Sequence, residues 1–141
     1  MDDSTKQLYE MHAEGSSKFI YFQLGVAASA IAFSVHVTRD AALLASHWSL
    51  ALAVASWALS FWSGLLSLRY RISGLSANFD RNTLTTRYPV SRGDILAVMD
   101  PALEDLSKKA GHSFGWQTRL LLFGGAAFIV WHVAGMAARG Q

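Results

Sequence analysis

Eight positions of the sequence share the spacing most suited to chemistry along a helix. Ala42, Ser46, Ser49, Ala53, Ser56, Ser60, Ser63 and Ser67 recur at intervals of 4, 3, 4, 3, 4, 3 and 4. On a helix they form one stripe that drifts only about 20° per heptad. Two uses of such a stripe compete. Small residues let helices approach closely, and serine hydroxyls bond across the contact or back to the i−4 carbonyl. Gly25, Ser29, Ala32 and His36 offer a matching stripe upstream, and Gly124, Gly125, Ala134 and Gly135 another downstream. The other use is a pore. Three helices cannot enclose one, but a symmetric ring of copies can. Ser49, Ala53, Ser56, Ser60, Ser63 and Ser67 would then line it with hydroxyl rings of weak charge selectivity, with Ala53 near a constriction.

His36, His47 and His132 lie in three separate apolar stretches. Ionisable residues inside a membrane are functional candidates by default. A common level would suit a transition metal or axial haem ligation. None has a second histidine at i+4 or a neighbouring carboxylate beyond Asp40. Interhelical hydrogen bonding, or pH sensing at an outer mouth, is therefore the favoured use, with no metal and no cofactor.

Arg69, Arg71, Arg81, Arg87 and Arg92 fall within 24 residues, interleaved with Tyr70, Phe79 and Tyr88. The plain reading is topological, with basic residues against anionic headgroups. The sharper reading is a phosphate ligand, because the guanidinium fork suits phosphate and the rings, Tyr88 among them, can stack a base. Ser91-Arg92-Gly93-Asp94 is not a phosphate loop. Asp94, Asp100, Glu104 and Asp105 read as caps and solvated faces. With no catalytic constellation, an enzyme is not expected. The absence of cysteine excludes disulfides, thiolate metal sites and cysteine nucleophiles.

The elements carrying these residues follow from charge patterning. The chain has 141 residues, 52% hydrophobic and only 16% charged. That charge fraction is well below the quarter usual in soluble domains, and the apolar content excludes disorder. Residues 19–38, 41–68 and 120–138 hold no formal charge. Each is long enough to cross a bilayer core of about 30 Å as a helix. The expected fold is all-α, with three transmembrane helices and a tight turn at Arg39-Asp40 between the first two. The first stretch is too long for a signal-peptide core, and its acidic leader is a poor n-region. It is kept as a signal anchor.

Lys6, Lys18, Arg69, Arg71, Arg81, Arg87, Arg92, Lys108, Lys109 and Arg119 are ten of the twelve basic residues, and all fall in segments 1–18 and 69–119. The positive-inside rule puts both segments in the cytoplasm and tail 139–141 outside.

Within 1–18 a short interfacial helix is expected to break at Gly15-Ser16-Ser17. Leu65, Leu68, Ile72, Leu75 and Phe79 are spaced 3, 4, 3 and 4. This heptad seam carries the second helix to about residue 80. Residues 83–90 read as a short extended stretch or loop. Two short helices follow, 92–99 and 101–110, divided at Asp100-Pro101 and stopped at Gly111.

The runs Tyr21 to Val35 and Ala58 to Gly64 resemble uncharacterised small bacterial membrane proteins. The hairpin with its basic continuation also resembles membrane effectors of antiphage systems. That resemblance implies a bacterial inner-membrane protein activated by an infection-induced nucleotide signal. The leading expectation is thus a homo-oligomeric channel or pore, gated from 69–113 by a nucleotide, an oligonucleotide or the protein that makes it. The runner-up is a non-conducting accessory or scaffold subunit of a larger membrane complex. A haem-binding electron-transfer subunit is third.

Overall fold

The computed structural model describes residues 3–38 and 48–139. The expected turn at Arg39-Asp40 lies outside them, as do Ala42, Ser46 and His47. Three long helices make up the described chain: α1, Asp3–Thr38; α2, Trp48–Arg87; and α3, Arg92–Arg139. All three are long and apolar enough to cross a membrane. At 1.5 Å per residue α2 is about 60 Å long and α3 about 72 Å. Each is at least twice the ~30 Å of a bilayer core.

Helices α2 and α3 form an antiparallel hairpin whose cross-contacts fix its register. Trp57 meets Leu121, Ser60 meets Gln117, Ser67 meets Ala110 and Arg81 meets Asp100. Helix α1 runs parallel to α3, with Phe19 against Phe114 and Phe33 against Phe128. Ile20, Leu24 and Ala27 are the buried apolar residues of α1.

Three local expectations are overturned. Gly15-Ser16-Ser17 does not break α1, because one helical glycine costs only about 1 kcal/mol and the Glu14–Lys18 ion pair spans the site at 2.8 Å. Residues 83–87 are helical rather than extended. Thr85 and Thr86 donate their hydroxyls to the carbonyls of Arg81 and Asn82, which makes β-branched residues tolerable there. The helix ends where Pro89 forces its predecessor out of the α region: Tyr88 has φ −128° and ψ 72°. A single 3-10 turn, Pro89–Ser91, then reverses the chain. The two short helices are one, because α3 runs through Pro101, Gly111 and Gly115 without interruption. Continuous packing on α2 outweighs the local breakers.

The heptad seam does lie on a helix that runs beyond the second apolar stretch, as far as Arg87. The seam does not face α3. Ile72, Leu75 and Phe79 are 62%, 72% and 71% exposed.

Candidate functional site

The serine stripe forms the α2 side of the hairpin contact. Ala53, Ser56, Ser60 and Ser67 are buried, while Ser49 and Ser63 are half-buried at its margin. Ser60 donates to the Gln117 carbonyl at 2.7 Å, and Ser67 donates to the Ala110 carbonyl at 3.0 Å. Ser56 bonds back to the Leu52 carbonyl at 2.7 Å. A helix carbonyl keeps a second lone pair, so these hydroxyls find partners without breaking α3. On the facing helix Gly124 admits the Trp57 indole, whose Nε1 donates to the Leu121 carbonyl at 3.3 Å.

The matching stripe on α1 points the other way. Gly25, Ser29, Ala32 and His36 are exposed, not packed on α2. Nothing lies within 4 Å of a Cβ built on Gly25. Helix α1 instead presents Gln23 to the bundle, and its amide donates to the Thr118 hydroxyl at 3.0 Å. Gln117 is fully buried, with its amide 3.5 Å from the Ile20 carbonyl. Gln23 Oε1 and Gln117 Oε1 are buried without a partner.

His36 and His132 are both exposed, and His132 stacks on Phe128. Among the described residues no three His, Cys, Asp or Glu side chains gather as a metal site. A pair at spacing four escaped the sequence reading. Trp116 Nε1 donates to His112 Nε2 at 2.9 Å. The indole N–H is the donor of this bond and the imidazole Nε2 its acceptor. Arg119 extends back over the same indole, 5.8 Å from its centroid.

The five arginines are dispersed. Arg81 pairs with Asp100 at 2.9 Å across the hairpin. Arg87 lies over the Tyr88 ring, and Arg69 and Arg92 point outward. Arg71 lines a groove of about 500 Å³ between α2 and α3, to which Ser17 of α1 also contributes. Outside the apolar stretches Glu14 is held below its ordinary value by the hydrogen bond and charge of Lys18. Lys109 is held above its own by Asp105.

The chain matches no known protein family, no curated protein and no solved structure.

Proposed function

We propose that this chain is a three-span membrane protein acting as a non-conducting assembly subunit, with its N-terminus and the polar hairpin 69–119 on the cytoplasmic side of a bacterial inner membrane. The observation that carries this reading is the closure of Ser60 and Ser67 onto α3 carbonyls. A stripe sealed by its own neighbour is not free to line water. The faces left without a partner in the protomer suit assembly instead. One is the exposed small-residue stripe of α1, with Ser29 and His36 otherwise turned to lipid. Small residues and interhelical hydrogen bonds are what drive association in lipid. The other is the exposed seam Ile72, Leu75 and Phe79, whose 3–4 spacing is that of a coiled-coil contact. The basic segments set the orientation.

The test is one reconstitution with two readouts. Ser29→Cys is expected to cross-link copies or a co-purifying subunit, and Gly25→Leu to abolish that cross-link without unfolding the bundle. Ion flux through the same proteoliposomes is expected to be no greater than through empty ones. Flux that Ser60→Trp blocks would replace this reading with the pore.

A further inference from the structure

We propose that the groove between α2 and α3 is a binding site for a phosphate-bearing ligand, with Arg71 as its anion anchor. The site stands on the groove's own residues and does not require assembly, although Leu75 belongs both to the groove and to the exposed seam. Arg71 Nε is wholly buried and has no hydrogen-bond partner. Nor does the guanidinium form an ion pair among the described residues, whereas Arg81, ten residues on, pairs with Asp100. A buried charged N–H left unpaired is costly, and a phosphate oxygen removes that cost with a charge-assisted bond.

The rest of the groove has the same preference. Tyr70, Asn78 and Ser107 in its lining carry hydroxyl and amide groups that can donate. None of its described residues is a carboxylate. Potential donors gathered around an unneutralised cation, with no competing anion, select a negative ligand. Leucines at 75, 103 and 106 form the remaining wall, so the anion should carry an organic body. A volume of about 500 Å³ falls within the range of small-molecule sites, roughly 300–1,000 Å³.

Two glycines keep the space open. Gly74 on α2 and Gly111 on α3 both line the groove, and nothing lies within 4 Å of a Cβ built on either. Neither glycine is required for helix contact, unlike Gly64 and Gly124. Each lowers helix stability by about 1 kcal/mol relative to alanine, and the groove is what their missing side chains leave behind.

The ligand's phosphate can come from a soluble ester or from a lipid headgroup, since Arg71 lies just past the uncharged stretch 41–68. Binding is measured with the full chain in nanodiscs of neutral phosphatidylcholine. Inorganic pyrophosphate and adenosine monophosphate are the soluble probes. Phosphatidylglycerol retained through native mass spectrometry is the lipid probe. Wild type is expected to bind one class, and Arg71→Gln to weaken it roughly tenfold or more. Gly111→Leu, which fills the groove and keeps the charge, should weaken it as well. Arg81→Gln, outside the groove, should bind as wild type does. Saturable binding of the soluble probes assigns a soluble ligand, and retention of phosphatidylglycerol alone assigns a lipid. Equal behaviour of wild type and Arg71→Gln towards every probe, with both folded by circular dichroism, overturns the site. Cross-linking through Ser29→Cys in the same samples reports separately on assembly.

Discussion

Ser60 donates its hydroxyl to the backbone carbonyl of Gln117 across a contact in which both residues are fully buried. Ser67 repeats the bond with Ala110 two helical turns further on. Within a membrane such bonds average about 0.6 kcal/mol, with a maximum near 1.7. Ser60→Ala should therefore cost at most about 1.7 kcal/mol. Ser60→Leu adds bulk where there is no room, and overpacking costs about 1–3 kcal/mol. Unfolding in mixed micelles, followed by circular dichroism, ranks the two. A leucine variant as stable as the alanine one would mean that α2 and α3 do not pack through this face.

The stripe containing Ser60 was plain in the sequence, but its use was not. A 4–3 repeat of small residues is equally suited to a close contact and to a water-lined path. Only the helix opposite decides between them. The three apolar runs were legible for the same local reason: length and charge suffice to read them. The segments around Thr85 and Pro101 were misread because local propensity favoured a break, and packing along α2 and α3 overrode it. His112 and Trp116 carried a usable signal, a donor and an acceptor four residues apart on one helix. Of the groove, Arg71 was legible, as one of five clustered arginines; Ser17 and Ser107, from distant segments, were not.

Glycines in the bundle divide into two groups with opposite expectations. A Cβ at Gly124 would sit 2.5 Å from Trp57 Nε1 and 3.1 Å from the Ala53 carbonyl oxygen. The indole is tied to Leu121 and packed near Phe128, so it has little freedom to withdraw. Gly124→Ala should destabilise the bundle by about 1–3 kcal/mol. Gly64→Ala meets Gln117 Nε2 at 2.5 Å, but a flexible side chain yields more easily and the loss should be smaller. Gly125→Ala meets nothing within 4 Å and should be neutral. The order of the three thermal midpoints is the measurement, and a Gly124→Ala midpoint equal to that of Gly125→Ala contradicts the packing described.

The Glu14–Lys18 pair bridges the glycine and serines of α1 on an exposed surface. Lys18 lowers the Glu14 pKa below 4.5. A depressed carboxylate stabilises the folded form above its unfolded pKa, and that contribution is lost as pH falls through the lower, folded value. The contribution of this pair to the start of α1 should therefore be constant near neutrality and be lost under acid. Lys109 runs in the opposite sense, because Asp105 raises it above 10.5. Its contribution is present below that value and is lost as pH rises through the folded one. Both groups are exposed, so the effects are small. In a Glu14→Gln variant the acid limb of the helicity curve should shrink; an unchanged limb assigns it to other carboxylates.

Pro101 lies inside α3, and its chemistry opposes the helix that contains it. It has no N–H to give to the carbonyl four residues back, and its ring crowds that carbonyl. Relative to alanine, an interior proline lowers helix stability by about 3 kcal/mol. Asp100, directly before it, reaches across to Arg81 at 2.9 Å, so the hairpin is tied at the point where α3 is weakest. Pro101→Ala should raise the stability of the polar hairpin, by up to about 3 kcal/mol if the helix relaxes fully. Hydrogen exchange at residues 96–104 reads the change directly, with slower exchange expected in the variant. Unchanged or faster exchange there would mean that the helix gains from the proline, through a bend that lets Asp100 meet Arg81. In that case Pro101→Ala should also abolish the dependence of exchange on Arg81, which Pro101→Ala combined with Arg81→Gln would reveal.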